Sequence, residues 1–557
     1  MTFVLAGPGA VLVLAAALLT ADPEPAKAIG EVETVYLGGK VFTADPARPW
    51  VEAIATRGDR IAAVGSRKDI EALAVAGTRR VELRGRTVIP GLNDAHHHFG
   101  SRPQGSVELE VPLSAPWADL AAAVDAAAKK APSGMWIIGD IAPRAWFEKG
   151  ATRASLDSVS DDHPVALGTL CGHGRLVNSV ALARLHIGTA PPDPPGGWYE
   201  RSGKSRTTTG RLLEAACFDF KRRLAESIDL DTHLRTMRDM VAADLRLGWT
   251  SIQTMSWLPL STAVAVAEKA GSPLRIRVIR FPVNTADARN IRGSASPPPP
   301  PGSLVTVNGL KWFLEGAPCE KTSALRHPYG DGTVARLPYR PEVVRAILQE
   351  GVKQGQPLLF HAGGARAIEE LFTAMESMPD IEWTHRRVRI EHGDELSPEM
   401  FARARRLGIV LVQNPEHLGV LPGMDIAAVK RFLGVQPSDV TQPMRTVLEA
   451  GIPLALGTDG SENPFRNILL ASTHPSNPGE ALTREQAVTA FTRGAAYAEF
   501  AEKEKGTLAP GMLADFVVLS RDVFTAPADQ VPDIRSVLTI IGGKVAFDAT
   551  AADAGVQ

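Results

Sequence analysis

Histidine and aspartate residues stand at the ends of several apolar segments of the chain. The segments PLLFHA, VRIEHG and PLALGTDG carry His361, His392 and Asp459 near their ends. A polar group left there without a partner in a buried strand would cost several kcal/mol. Imidazole and carboxylate groups that converge from separate strands can instead bind one divalent metal ion. The pattern therefore predicts a metal site assembled from distant parts of the sequence.

A further apolar segment ends in three consecutive histidines, LNDAHHH at residues 92–98. Strand alternation points His96 and His98 to the same face, so the two imidazoles could chelate one metal ion. His97 then points away, and we interpret it as a packing residue. A histidine triplet alone also fits a satisfied core histidine. The other strand ends with ligand-type residues favour the metal site.

Lys311 lies inside the apolar segment VNGLKWFL. A buried lysine has three explanations: a depressed pKa, a pairing carboxylate, or conversion by CO2 to a carbamate that bridges two metal ions. The residues around Lys311 leave all three open.

The segments that carry these residues belong to a regular alternation of short apolar strands and amphipathic helices. Helices are predicted over residues 341–354, 365–377 and 398–407. Eight strands joined in this way predict an α/β fold, a (β/α)8 TIM-type barrel, whose catalytic residues lie at the carboxyl ends of the strands. The eight predicted strands are residues 87–98, 250–256, 274–280, 308–314, 357–362, 388–393, 409–414 and 453–459.

The two ends of the chain resemble each other. The string GGKV occurs at residues 38–41 and again at 542–545, each time among short strand-like runs. We therefore expect residues 29–88 and 505–550 to form one small β-sandwich-like domain. The barrel then spans residues 89–504 and contains a long insertion after strand 1, residues 99–249, that covers the active site. The proline run at 297–301 is expected to be a stiff loop before strand 4.

The first 28 residues are typical of a secretory signal peptide. An apolar run over residues 11–21 precedes Ala26-Lys27-Ala28, a cleavage-site pattern. The protein is therefore expected to be exported, to a periplasm or beyond. Because the first residues lack Lys and Arg, a mis-called start codon and a cytoplasmic protein form the alternative. No later segment has 18 uncharged apolar residues, so no membrane span is expected.

The charge balance and the cysteines exclude several classes of protein. The 60 basic and 62 acidic side chains give a net charge of −2, which offers nucleic acid no basic surface. The expected partners are a small-molecule substrate and a second copy of the chain in a homodimer. Three cysteines are too few and too scattered for a disulfide framework or a thiolate zinc site. Cys319 is interpreted as a plain loop thiol.

Taken together, the strand-end residues resemble those of the amidohydrolase superfamily, in particular its amidohydrolase family-3 branch, which includes N-substituted formamide deformylases. The resemblance implies that six residues hold one or two divalent metal ions, with Zn²⁺ expected and the lysine often carboxylated. Those six are His96, His98, Lys311, His361, His392 and Asp459. The motifs that carry the resemblance are PGLNDAHHH at 90–98, GLKWFLEG at 309–316, HAGGARA at 361–367, RIEHGDELS at 389–397 and GTDGS at 457–461.

Further residues are candidates for substrate contact. The insertion also contains sequences similar to those of the family, at residues 163–182 and 210–216. His173 and Asn178 belong to the first of these segments and could reach over the site. His417, after strand 7, would lie at the barrel mouth. Glu315 stands where the family usually has aspartate, and Gly460 where it commonly has tryptophan, which leaves the shape of the substrate open. Glu391 is expected to point to the opposite face from the ligands, either as a residue that supports a ligand or as a structural residue.

The resemblance implies hydrolysis of an amide-type C–N bond in a small molecule. Asp459 would orient the attacking water, accept its proton and deliver it to the leaving nitrogen, while His392 assists the developing oxyanion. Ester or lactone hydrolysis at the same site is one alternative. A catalytically silent binding or regulatory barrel is another. A third is a barrel enzyme of different chemistry in which Lys311 forms a Schiff base.

Overall fold

The structure is a computed structural model. It describes residues 31–281, 302–418, 434–435, 442–460 and 463–550. The predicted signal peptide and the proline run at 297–301 lie outside the described residues.

A sheet of eight parallel strands forms the centre of the molecule, and each predicted barrel strand is present. Every neighbouring pair is parallel, in chain order around the barrel. The two ends of the sheet meet where the Asp459 amide donates to the His96 carbonyl at 2.9 Å. The strands are β1 (Leu92–His97), β2 (Trp249–Thr254), β3 (Arg275–Arg280), β4 (Val305–Phe313), β5 (Leu358–His361), β6 (Arg389–Glu391), β7 (Val410–Gln413) and β8 (Leu454–Leu456).

Gly457 is required where β8 closes against β1. A Cβ atom at this position would lie 2.5 Å from the backbone nitrogen and the Cβ of His96. Any side chain here would push β8 away from β1 and separate Asp459 from His96.

Helices cover the outside of the barrel and bury an apolar stripe against it. Pro341–Lys353 begins with proline in its first turn and buries Val344, Ile347 and Leu348. This helix, Ala365–Glu376 and Pro398–Arg406 agree with the predicted helices to within one residue. The other helices around the barrel are Leu230–Leu247, Leu260–Lys269, Arg445–Glu449, Pro464–Thr473, Arg484–Thr489 and Ala495–Ala498.

Strands from both ends of the chain form two further sheets. A four-stranded sheet contains Arg60–Gly65, Ala53–Arg57, Thr34–Leu37 and Arg79–Glu82, in that order. A six-stranded sheet contains Lys544–Asp548, Ser536–Ile541, Phe516–Leu519, Thr87–Pro90, Lys40–Phe42 and Trp50–Val51. The two sheets share a buried core in which Tyr36 meets Phe516 edge to face. The sequence segment 87–98 therefore divides at Gly91 between this domain and β1.

The insertion between β1 and β2 has its own sheet and core. The strand order is Gly197–Arg201, Thr208–Glu214, Gly174–Val177, Val165–Thr169, Ile137–Ile141 and Val107–Glu108. Its helices are Trp117–Lys130, Pro143–Trp146, Arg153–Val159, Ser179–Arg184 and Ala215–Glu226. Within the described part of the chain, no helix is both long enough and apolar enough to cross a membrane.

Candidate active site

The carboxylate of Asp459 lies among four histidines at the carboxyl ends of the barrel strands. Its Oδ1 is 3.2 Å from His98 Nε2 and 3.5 Å from His96 Nε2. Its Oδ2 is 3.4 Å from His417 Nε2 and 4.0 Å from His392 Nδ1. Burial would raise the pKa of Asp459, but His96, His417 and His98 outweigh it and hold the pKa well below its usual value. The carboxylate is therefore charged at neutral pH.

His96 and His98 are held so that the same ring nitrogen of each faces Asp459. The Nδ1 of His96 is 2.6 Å from Glu391 Oε2, and the Nδ1 of His98 is 2.8 Å from the Met255 carbonyl oxygen. Burial lowers the pKa of His96 to about 4, so its ring is neutral. Neutral imidazoles anchored through one nitrogen offer the other as a metal ligand. His97 turns to β2, where its Nδ1 meets Thr254 Oγ1 at 3.2 Å.

Glu391 points into the site, and the expectation that it faces the other way is wrong. The strand β6 ends at Glu391, and His392 has a left-handed backbone with φ of 73°. Strict alternation stops there, so both side chains reach the interior. Arg389 forms a bidentate ion pair with Glu391, in which its Nε donates to Oε1 at 2.8 Å and its Nη2 to Oε2 at 3.0 Å. Burial would raise the pKa of Glu391, but Arg389, Lys311 and His96 hold it well below its usual value.

His392 and His361 complete the histidine cluster. Their ring centroids are 4.6 Å apart, and the His361 Nε2 lies 3.1 Å from the Gly316 carbonyl oxygen. Burial holds the pKa of each well below the usual histidine value. The Nδ1 of His392 is buried and has no hydrogen-bond partner among the described residues.

Lys311 is buried in β4 and faces the same interior, with only 1% of the residue exposed. Burial lowers its pKa to about 8, although Glu391 and Asp459 oppose the shift. The structure thus brings all six predicted metal-site residues to one end of the barrel.

The insertion contributes His173 to this end of the barrel. Its ring centroid is 4.6 Å from that of His361, and its Nδ1 is 2.7 Å from Glu214 Oε2. Glu214 sits at the junction of a strand and a helix with φ of 52°, a conformation that side chains rarely adopt. Its other oxygen accepts from Thr322, which follows β4. The insertion is therefore fastened to the barrel beside the site.

Asn178 and Glu315 are not brought into contact with the site opening, which corrects the expectation of substrate contact. Asn178 is fully buried and caps Ser179–Arg184, and its amide donates to the carbonyls of Ser160 and His163. Glu315 is also fully buried. Its oxygens accept from Ser323 Oγ at 3.0 Å and from the Gly364 amide at 2.6 Å. Both side chains have their polar atoms occupied by hydrogen bonds within the protein.

His417 does lie at the mouth. Its ring stacks on His392 with centroids 5.4 Å apart, and 39% of its side chain is exposed. It is the most exposed of the four histidines around Asp459.

Cys171 and Cys319 form a disulfide, so the interpretation of Cys319 as a plain loop thiol is wrong. They are 148 residues apart in sequence, but their Cα atoms lie 6.0 Å apart. The insertion folds back onto the 3₁₀ turn Pro318–Glu320 after β4, which brings the two cysteines together. Cys217 is a buried free thiol.

Several residues near the site were not predicted from the sequence, because their side chains are not of a type that binds metal ions. Trp257, after β2, stacks on His98 with centroids 5.6 Å apart. Phe313, at the end of β4, lies 5.3 Å from His361. Asp94 is the exception, since an aspartate two residues before His96 is a visible signal. Its carboxylate accepts from the Thr458 amide and hydroxyl, which ties β1 to the loop of Asp459.

The parallel barrel and the cluster at its carboxyl edge define a (β/α)8 protein with its candidate active site at the position usual for this fold. A model described as the amidohydrolase family matches residues 79–547, and the chain belongs to that family.

Relatives and solved structures agree with this assignment. The chain is 27% identical over 542 residues to Protein LONG AFTER FAR-RED 3 of Arabidopsis thaliana, covering 92% of this chain and 91% of that one. It is 24% identical over 553 residues to N-substituted formamide deformylase of Arthrobacter pascens, covering 93% and 99%. An uncharacterized metal-dependent hydrolase from Pyrococcus horikoshii has the same fold, with a TM-score of 0.68, 18% identity and coverage of 89% and 99%.

Proposed function

We propose that the protein is a metal-dependent hydrolase that cleaves an amide-type C–N bond of a small molecule. The observation that carries the proposal is the ring of four imidazoles around the Asp459 carboxylate, at 3.2–4.0 Å. The family and the formamide deformylase relative support the same reaction class.

The residues present fit a divalent cation. Nitrogen and carboxylate atoms of His96, His392 and Asp459 lie within 4.8 Å of one another. The buried, unpartnered Nδ1 of His392 would be costly unless a cation or a proton donor satisfied it. His98, His361 and Lys311 adjoin this group. Histidine and carboxylate ligands without thiolate are consistent with Zn²⁺ at a hydrolytic site.

A divalent cation in this place would supply a Lewis acid that lowers the pKa of water and polarises a carbonyl group. The protein supplies the proton path. The Asp459 carboxylate accepts a proton from the attacking water and transfers it to the leaving nitrogen as the C–N bond breaks. The His96 ring is held against rotation by Glu391, and the neutral His392 ring would assist the developing oxyanion.

Lys311 is proposed to be carboxylated. With a pKa lowered to about 8, a fraction of its amine is uncharged at neutral pH and can add CO2. The resulting carbamate would be an additional oxygen ligand, which would allow two metal ions. Carbon-13 NMR of protein equilibrated with labelled bicarbonate tests this. A carbamate signal that Lys311→Met removes is expected, and a spectrum with no such signal would contradict it.

Metal analysis followed by a hydrolysis panel tests the proposed function. The purified protein is expected to contain about one or two equivalents of divalent metal and to cleave some member of a panel of N-formyl compounds, other amides and lactones. Turnover of lactones alone would favour the ester variant. Metal-free protein that gains no metal on reconstitution, and hydrolyses nothing, would contradict the proposal.

Export is proposed as well. The Cys171–Cys319 disulfide is of the kind that persists in oxidising compartments, and it agrees with the signal-like residues 1–28. N-terminal sequencing of protein from fractionated cells should place the mature terminus near residue 29. An intact terminus on cytoplasmic protein would overturn this proposal.

A further inference from the structure

Lys221 lies beside the site with no carboxylate within ion-pair distance among the described residues. Burial lowers its pKa, and Cys217, Glu320 and Asp459 oppose that shift. It projects from the helix Ala215–Glu226 of the insertion, and its ammonium donates to the Gly172 carbonyl oxygen at 2.6 Å. Among the described residues it forms no ion pair with a carboxylate. The ammonium lies 4.3 Å from the centre of the Trp257 ring. Gly172 precedes His173, so the lysine is attached to the loop that reaches the histidine cluster.

The acids near Lys221 do not neutralise it. Glu320 and Glu214 belong to the same surroundings, but both are buried, and burial raises the pKa of Glu320 to about 8 and that of Glu214 well above its usual value. Both shifts favour the protonated carboxyl, and the charged Asp459 acts on Lys221 without forming an ion pair with it. A partly buried ammonium that forms no ion pair with a carboxylate gains from binding an anion.

The same lysine lies within reach of the reacting centre. Trp257 stacks on His98 at 5.6 Å, so the ammonium is no farther than 9.9 Å from the His98 ring centre. Trp257 and Phe313 are both partly exposed, and both contact histidines of the cluster. An apolar surface thus joins the cation to the metal-site residues, which is the usual composition of a small-molecule pocket.

We propose that Lys221 binds a carboxylate group of the substrate, whose apolar arm lies along Trp257 and Phe313 while its C–N bond lies at the histidine cluster. The substrate class is then an amide of an apolar or aromatic amine that carries an acid group. This inference rests on the proposed function for the bond that is cleaved. The electrostatic selection by Lys221 is a separate property, which binding measurements reveal without turnover.

Two pairs of compounds test the inference, because each pair differs only by a carboxylate. N-formylphenylalanine is compared with N-formyl-2-phenylethylamine, and 4-(formamidomethyl)benzoate with N-benzylformamide. Binding is measured by calorimetry on the Asp459→Asn protein, in which hydrolysis is expected to be about 10³-fold slower. The acid of at least one pair is expected to bind about tenfold more tightly than its neutral counterpart.

Three variants in the same background locate the selection. Lys221→Met should abolish the preference for the acid while leaving the neutral compound unchanged. Lys221→Arg should retain most of the preference because the charge remains. Lys204→Met removes an exposed lysine of the same insertion and should leave the preference intact.

The inference is overturned if neither pair shows a preference for the acid, or if Lys221→Met weakens acid and neutral compound equally, as a merely structural lysine would. Hydrolysis by the unmodified enzyme is assayed separately. Selective binding without any hydrolysis would contradict the proposed function and support the role of Lys221. Hydrolysis without selective binding would support the proposed function and contradict the role of Lys221.

Discussion

The two sides of the candidate site are built on different principles. On the barrel side, the ring of His96 is neutral and the carboxylates of Glu391 and Asp459 are charged, which are the forms that binding a cation requires. Each of these side chains is fixed by a neighbouring strand. On the insertion side, burial raises the pKa of Glu214 and that of Glu320, which lies in the barrel loop facing the insertion. A disulfide and hydrogen bonds tie the insertion to this loop. The barrel side is suited to chemistry and the insertion side to selection.

The largest effect is expected on the barrel side. Asp459→Asn removes the proton acceptor but keeps the shape of the side chain. It should lower kcat by about 10³-fold, within the range for loss of a general base. Metal content measured by elemental analysis should stay close to that of the unmodified protein. Full activity in this variant would remove Asp459 from the proton path.

Glu391→Gln should weaken metal binding through His96. The neutral amide no longer fixes the His96 ring by a charged hydrogen bond, and loss of such a partner costs about 10- to 100-fold in metal affinity. Competition with a chelator measures this affinity. Glu320→Gln is the matched control on the insertion side and should leave metal affinity unchanged. If both variants lose metal equally, the division between the two sides is incorrect.

Removing the disulfide should affect selection more than chemistry. Loss of a cross-link across 148 residues destabilises by up to about 5 kcal/mol in the chain-entropy model. The double variant Cys171→Ser, Cys319→Ser should therefore unfold at lower temperature. Its loop at Gly172 and His173 would be less fixed, so KM should rise several-fold while metal content holds.

Cys217→Ser is the control for loss of a thiol, since Cys217 forms no disulfide. An unchanged unfolding temperature and KM in the double variant would show that the cross-link does not support the insertion.

The smallest effect is a difference in pH dependence. Burial raises the pKa of Glu320 in the folded protein to about 8, whereas its pKa in the unfolded chain is near 4.5. Between these two values the folded protein keeps a proton that the unfolded chain loses, so the free energy of unfolding falls as the pH rises toward 8. The pKa of Glu391 is lowered in the folded protein, so its contribution to the free energy of unfolding is lost as the pH falls below about 4. Glu320→Gln should therefore lessen the fall in Tm between pH 6 and pH 8.5. Thermal unfolding at several pH values measures the slope, and an unchanged slope would contradict the assignment.

The barrel and the polar residues at its strand ends could be predicted because the signals are local. An apolar strand that ends in His361 or Asp459 is visible in one segment, and parallel strands in sequence order place all such ends at one edge. The orientation of Glu391 was not predictable in the same way. It depends on the left-handed backbone of His392, which interrupts the alternation that the sequence suggests.

The insertion resisted prediction for a different reason. Asn178 looked like a site residue, yet its amide is occupied by the carbonyls of Ser160 and His163, 18 and 15 residues earlier, through packing that no periodic pattern reveals. The pairing of Cys171 with Cys319 likewise requires the insertion to fold back onto the loop after β4.

By itself, the sequence determined the fold class, the family and the set of residues at the barrel strand ends, because hydrophobic periodicity and ligand type are properties of short segments. The tertiary structure decided which ring nitrogen faces Asp459, which carboxyls are charged, and that Lys221 lies over Trp257 beside the site. These properties depend on burial and on neighbours from other parts of the sequence, from 36 residues away for Lys221 and Trp257 to 361 for His98 and Asp459. Only the folded chain sets them.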